Sequence, residues 1–488
     1  MKNWKGINIK VIIKVIGFLL MIEGFFMFLG LPFSIYYGEL ENPALLYSGL
    51  ITILTGGILW FSTRKHLKNI GRKEGYVIVA VTWIIISLFG TLPFLLSGVI
   101  SNFTDAFFET MSGFTTTGAT ILTDIESIPK SILFWRSMTH WIGGMGIIVF
   151  TVAVLPILGI GGMQLYAAEM PGVTKDKLHP KIAATAKRLW AIYLIFTVVE
   201  TLLLLFGGMS LFDALCHTFG TVATGGFSTH TESIAAFSSP YIQYVIIVFM
   251  ILAGTNFTLH YFALHGQLRR VWKSEEFRWF IYLILAGTLI ITLVLALNKD
   301  GMSFEEAFRA SFFQVVSIIT TTGYITDNYL QWPSMIWFLI ILMMFIGGMA
   351  GSTGGGIKVV RQLLLLKNSL LELKRLIHPQ AIIPVRMNGK VVSQDIIFKV
   401  MAFFLIYIII FIIGSTVMAL IGLDASTAIG ATAATIGNIG PGIGAVGPEG
   451  NYAFIPYGGK WFLSFLMLLG RLELFTVLIL FSPAFWKK

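Results

Sequence analysis

The sequence predicts an all-α polytopic membrane protein: four pseudo-symmetric helix–pore-loop–helix repeats around one central pore, preceded by two extra transmembrane helices. Three observations carry that expectation. Of the 488 residues, 56% are hydrophobic and only 12% are charged, against roughly 25% charged in an ordinary soluble domain. Apolar runs of roughly 20 residues, the length that crosses a bilayer core as helix, recur along the whole chain. A short Thr/Gly cluster returns four times at near-regular spacing.

So few charges cannot solvate the surface of a water-soluble protein of this size. That excludes a cytosolic enzyme, a secreted domain and a nucleic-acid-binding protein. The single cysteine, Cys216, excludes an internal disulfide framework and a multi-cysteine metal site. Ten spans are expected, at 11–31, 44–62, 75–96, 132–158, 190–206, 241–264, 279–297, 334–366 (interrupted), 396–421 and 461–481. The first begins basic, like a signal peptide. It is too long for a signal core and lacks a small-x-small cleavage site, so it is expected to be retained.

Basic residues fix the expected direction. Of the 34 lysines and arginines, 28 fall on the two termini and on alternate connections around 63–73, 175–188, 269–278 and 358–399. The positive-inside rule puts those connections, and both termini, in the cytoplasm. The opposite side carries mostly acids, among them Asp105, Glu109, Asp213, Glu306 and Asp424, and an acidic vestibule that concentrates cations is expected there. The net charge of +10 is therefore read as a topology signal, and no nucleic-acid partner is called for. Inner basic loops that also bind anionic lipid or an acidic partner remain compatible with it.

Four connections on the acidic side share one pattern: an acid, an alanine, a short amphipathic run, then a Thr/Gly cluster. They read Asp105-Ala106 to Thr115-Thr116-Thr117-Gly118, Asp213-Ala214 to Ala223-Thr224-Gly225-Gly226, Glu306-Ala307 to Thr320-Thr321-Thr322-Gly323, and Asp424-Ala425 to Thr435-Ile436-Gly437. Acid-to-glycine spacings are 13, 12, 17 and 13, so the third unit is longer by about one helical turn. Each segment is too short to cross and return as helix. A half-helix entering the membrane followed by an extended return fits, with non-helical backbone tolerated where it lines a wet cavity. An acid near a helix N-terminus is favourable. Four inner clusters of carbonyls and hydroxyls give a ring of oxygen ligands for a dehydrated cation. One such cluster alone would be read as small residues at a helix contact; four in register point to a filter.

These residues resemble the TrkH/KtrB/HKT superfamily of potassium transporters, in particular its TrkH branch. The stretches that carry the likeness are SGFTTTGAT (112–120), HWIGGMGI (140–147), DKLHPKIAATAKRLW (176–190), TVATGGFST (221–229), SIITTTGY (317–324), GGMAGSTGGGIK (347–358) and GNIGPG (437–442). The resemblance implies a potassium-selective pore in a bacterial inner membrane. Its filter would comprise Thr116, Thr117 and Gly118; Ala223, Thr224 and Gly225; Thr321, Thr322 and Gly323; and Thr435, Ile436 and Gly437. The two residues ahead of each glycine would face the potassium ion, which is the transported substrate; no organic cofactor is expected. Glycine rather than serine at Gly118 is the superfamily pattern linked to potassium over sodium. Three repeats lack a second glycine two places on, and in the fourth Gly440 is displaced by one, so the filter is looser than that of a potassium channel. The likeness also implies a homodimer and a cytosolic nucleotide-binding regulatory ring of the TrkA type. Repeat boundaries are expected at 71–175, 176–272, 273–380 and 381–488, after an N-terminal pair of helices within 1–70.

The eighth span is broken by Gly347, Gly348, Gly351, Ser352, Thr353, Gly354, Gly355 and Gly356. Each glycine costs a helix about 0.8–1.0 kcal/mol relative to alanine, so a loop is expected within the membrane. The resemblance makes it a gate below the filter. GSTGGGIK lacks the order of a phosphate loop, and Gly442-x-Gly444-x-x-Gly447 has no βαβ unit around it. Arg471 lies mid-span, where charge is costly and needs a partner. By the resemblance it would hold the glycine loop closed through the loop carbonyls. Glu23 and Glu200, also within spans, are expected to be buried and paired; His140 and His217 are expected to be structural. Three functions compete: a gated potassium pore, a sodium-permeable or cation-coupled carrier, and an intramembrane enzyme. The last gains nothing from a fourfold repeat.

Overall fold

The computed structural model describes residues 7–39, 43–64, 71–146, 182–298 and 302–487. The expected span residues 147–158, the charged stretch 175–181 and the repeat boundary at 175/176 lie outside them. The chain is a polytopic all-α membrane protein, with one small addition: an antiparallel hairpin pairs Arg386–Met387 with Lys390–Val391.

Helix Ile9–Phe28 packs along Ala44–Thr63. Glycines set their approach: a Cβ on Gly17 would stand 2.7 Å from the Gly56 carbonyl oxygen, and one on Gly56 2.6 Å from that of Gly17. Small residues at such crossings let backbones meet without a hydrophobic driving force. Four modules follow, each with a spanning helix, a short pore helix and a second helix. The pore helices are Phe103–Phe114, Leu211–Val222, Phe304–Ile319 and Ala425–Gly437. The third is 16 residues long against 12, 12 and 13 for the others, which accounts for the longer third spacing. We call the face where these helices begin the upper face.

Among the described residues, six helices are long and apolar enough to cross a membrane, or eight if each bent pair is one span. The second helices of the modules are broken more often than the sequence suggests. Pro240–Gly254 and Phe257–Leu264 meet at 107°, and Tyr457–Arg471 and Phe475–Phe481 at 110°. The expected continuous spans at 241–264 and 461–481 are thereby corrected. In the first, the Asn256 side chain caps a new helix by accepting the Thr258 N–H at 2.8 Å. In the second, Glu473 takes a left-handed φ of 54°.

Candidate functional site

Each pore helix starts on a side-chain cap. Asn102 accepts the Thr104 N–H at 2.8 Å, Ser210 that of Asp213 at 3.0 Å, Ser303 that of Glu306 at 3.2 Å, and Asp424 that of Thr427 at 3.1 Å. Asp105, Asp213 and Glu306 thus sit three residues inside their caps, whereas Asp424 is itself the cap. Hydrogen bonds from Ser426, then Thr427, hold the Asp424 carboxyl down to about 2. What this cap adds to stability is present above the ordinary aspartate value of about 3.9 and is lost as pH falls through about 2.

The helices also end alike. In each, one residue turns left-handed: Thr116 (φ 51°), Thr224 (55°), Thr321 (61°) and Asn438 (53°). The next amide closes a six-to-one bond, from Thr117 to the Ser112 carbonyl (2.9 Å), Gly225 to Gly220 (2.7 Å), Thr322 to Ser317 (2.9 Å) and Ile439 to Ala434 (2.9 Å). This is the Schellman ending, which usually takes glycine at its left-handed position. A β-branched threonine there is strained by about 1–3 kcal/mol, a cost associated with functional sites. Two residues on, a glycine is again left-handed: Gly118 (80°), Gly226 (81°), Gly323 (82°) and Gly440 (99°).

These angles correct the register read from the sequence in two repeats. The equivalent triplets are Thr116-Thr117-Gly118, Thr224-Gly225-Gly226, Thr321-Thr322-Gly323 and Asn438-Ile439-Gly440. Ala223 is one residue early, and Gly225 holds the middle place rather than the last. Thr435, Ile436 and Gly437 lie in the final turn of the fourth pore helix, three residues early. The physical reason is the cap: counted from the third residue inside it, the left-handed position falls 11 residues on in repeats one, two and four. Counting from the acid fails in repeat four, because there the acid is the cap.

The four triplets close on one another. A Cβ on Gly118 would stand 2.2 Å from the Gly225 carbonyl oxygen, one on Gly226 2.1 Å from that of Thr322, one on Gly323 1.8 Å from that of Ile439, and one on Gly440 2.7 Å from that of Thr117. The carbonyls of Thr117, Gly225, Thr322 and Ile439 therefore form a closed ring, each oxygen seated against the glycine of the preceding repeat. All four glycines line one half-open cavity on the upper side.

Buried polar contacts brace this ring from behind. Tyr452 donates to the Gly440 carbonyl at 2.7 Å, Tyr329 to Gly442 at 2.6 Å and Tyr324 to His217 at 2.9 Å. Glu109, expected on the outer side, is buried and paired with buried Arg136 at 2.7 Å. Glu109 also accepts the Ile121 N–H at 2.9 Å. Arg136 donates to the Ser228 carbonyl at 2.9 Å and lies 3.6 Å from the Phe227 ring centroid. This pair ties the strand leaving the first triplet to that leaving the second. The sequence marked both residues only as charges; the signal available was their place within the buried pore module. Glu109→Ala leaves the guanidinium buried without its counter-charge, which typically costs about 3–5 kcal/mol. We expect a markedly lower midpoint for thermal unfolding in detergent, while Asp395→Ala, at an exposed pair, leaves it unchanged.

Several acids of the expected vestibule are held by partners. Asp105 pairs with Lys460 at 2.6 Å and Glu305 with Arg309 at 2.9 Å, while Asp213 and Glu126 flank His230. Arg136 and His230 line the cavity with Thr120, Ser228 and Thr231 among others, and no carboxylate is among its described lining residues. His140 and His217 are structural as expected: His140 Nδ1 lies 2.7 Å from the Gly113 carbonyl, and His217 bridges the Asp213 carbonyl (2.8 Å) and Ser228 Oγ (2.9 Å). Glu23 and Glu200 are buried, but neither forms an ion pair among the described residues, so their expected pairing is not found.

Below the ring, the glycine-rich break is a loop between Ser334–Met344 and Val359–Ile377. Gly347, Gly351 and Gly356 are left-handed, and a Cβ on Gly347 would stand 2.6 Å from the Gly355 carbonyl. Ser352 Oγ donates to the Met349 carbonyl at 2.7 Å. The Met349 amide donates to the Gly254 carbonyl at 2.9 Å, and the Val359 amide to that of Gly348 at 3.1 Å. The Gly355 amide donates to Thr321 Oγ1 at 2.6 Å. Gly354 faces the Thr320 carbonyl, where a Cβ would stand at 2.8 Å. Arg471 donates to the Thr353 carbonyl at 2.7 Å and to those of Gly143 and Gly144 at 2.5 and 2.9 Å. It thus joins the loop to the second helix of the first repeat. Two loop partners were not legible in the sequence: Glu276, which accepts the Ala350 N–H at 2.7 Å, and Glu473, which pairs with Arg361 just after the loop.

A helical membrane protein whose four re-entrant segments close a ring of backbone oxygens has the architecture of a cation-transport pore. Known proteins agree with that class. The family described as TrkH, a cation transport protein, matches residues 41–488. The Trk system potassium uptake protein TrkH of Salmonella typhimurium is 43% identical over 99% of this chain and 100% of its own length. That of Escherichia coli K12 is 42% identical over the same shares. The crystal structure of the potassium transporter TrkH from Vibrio parahaemolyticus superposes with a TM-score of 0.89 at 38% identity, covering 99% of this chain and 100% of that one. The chain belongs to the TrkH family.

Proposed function

We propose that the chain takes up potassium across a bacterial inner membrane through one gated pore, with both termini cytoplasmic and the upper face outside. The closed ring of Thr117, Gly225, Thr322 and Ile439 carbonyls carries this reading. Fixed carbonyl dipoles replace the hydration shell of a monovalent cation. The four repeats, bounded as the sequence suggests, each give one corner. The glycine loop is the gate and Arg471 its latch. Relatives named as potassium uptake proteins of the Trk system support the choice of ion. A nucleotide-binding regulatory ring would dock on the basic lower face, and likeness to the family supports pairing with a second copy of the chain.

Purified protein in liposomes should pass potassium and rubidium much faster than sodium; equal rates would count against the selectivity. A second reading, proton-coupled uptake, rests on Glu23 and Glu200, buried without an ion pair among the described residues. It requires rubidium uptake to follow an imposed proton gradient and to lose that response in Glu200→Gln. A response unaffected by the gradient removes it.

A further inference from the structure

The loop does more than lie beneath the ring: it is bound to side chains of the filter itself. The left-handed residues Thr116, Thr224 and Thr321 hold equivalent backbone positions in their repeats, and we treat their hydroxyls as one layer at the lower edge of the ring. The loop bonds one of the three and lies against a second. Thr321 Oγ1 accepts the Gly355 N–H at 2.6 Å. Thr224 Oγ1 donates to the Ala223 carbonyl at 2.6 Å and has the loop beside it, 3.4 Å from Thr353 Oγ1, which itself reaches the Val222 (3.1 Å) and Ala253 (3.2 Å) carbonyls. The third hydroxyl, Thr116 Oγ1, is buried with no hydrogen-bond partner among the described residues. In the fourth corner Asn438 has its Nδ2 tied to Thr117 Oγ1 and the Met467 carbonyl, both at 2.9 Å, and its Oδ1 without a partner among the described residues. The loop glycines fit this layer closely: a Cβ on Gly355 would stand 2.6 Å from the Gly437 carbonyl.

We infer that loop segment 353–355 and a dehydrated monovalent cation compete for this hydroxyl layer, so that the permeant ion itself opposes closure. A hydroxyl oxygen that accepts the Gly355 N–H has less lone-pair density to offer a cation, and a cation at the layer repels that amide dipole. Each cation bound there therefore favours the displaced loop, by linkage. This inference rests on the proposed pore.

The test uses the full chain with Ser352→Cys, since native Cys216 is buried. Modification of the introduced thiol by a charged reagent is followed in detergent against potassium, rubidium and choline. The rate should rise and saturate with potassium or rubidium but not with choline. Adding Thr116→Val, which removes one ligand without changing shape, should raise the half-maximal potassium concentration roughly tenfold, while Thr116→Ser should keep it near the parent value. A rate indifferent to potassium in a preparation that passes rubidium in liposomes overturns the competition alone. A preparation that passes no cation even with Arg471→Ala overturns the pore reading beneath it.

Discussion

Gly440→Ala is expected to reduce rubidium uptake by purified protein at least about tenfold, while Gly437→Ala leaves it near the parent rate. Gly440 is left-handed at φ 99°, and a Cβ there would press on the Thr117 carbonyl, one corner of the ring. A left-handed L-residue costs about 1–2 kcal/mol before that contact is counted, and every 1.4 kcal/mol is tenfold. Gly437 closes the fourth pore helix with ordinary helical angles. Its nearest neighbour would be the flexible Ile439 side chain, and alanine suits a helix better than glycine. Uptake in liposomes, with the rubidium-to-sodium ratio, measures both variants. The reverse ranking would restore the register in which Gly437 is the filter glycine.

Arg471→Ala should raise the pore's flux above that of the parent in the absence of any partner. Among the described residues the guanidinium donates charge-assisted bonds to backbone carbonyls on the loop (Thr353) and on the first repeat (Gly143 and Gly144). A hydrogen bond from a charged group contributes about 1.5–3 kcal/mol, so losing the loop contact alone shifts the closed-to-open ratio by roughly ten- to a hundredfold. Arg471→Lys should fall between, because an ammonium cannot span two separate carbonyl sites as a planar fork does. Basal rubidium flux from reconstituted protein reads the effect. Flux equal to that of the parent in Arg471→Ala would remove Arg471 as the latch.

How much of this was legible in the sequence depended on whether the signal was local. Apolar runs and alternating basic connections are properties of short windows, and they set the spans. The glycine loop announced itself because no helix forms well through so many glycines. The filter register was harder. In repeats one and three the triplet ends in a unique Thr-Thr-Gly, so letters and backbone coincide. In repeat two the adjacent pair Gly225-Gly226 left a choice of one residue. In repeat four asparagine, which tolerates left-handed angles, replaces threonine, and no letter match remained. Counting from the helix cap resolves both, but the cap of repeat four is an acid and looked like the acids three residues inside the other caps. Non-local pairs stayed hidden: Glu109 with Arg136, Glu276 with Ala350 and Glu473 with Arg361 are brought together only by the fold. The breaks at Asn256 and Glu473 were likewise masked by continuous hydropathy.

The carbonyl ring is tested most directly by locating a heavy permeant ion. In crystals grown in thallium or rubidium, the anomalous signal should lie on the axis enclosed by the Thr117, Gly225, Thr322 and Ile439 carbonyls, and excess sodium should not displace it. Signal beside Thr435, Ile436 and Gly437 instead, or none on the axis in protein that conducts rubidium, would contradict it.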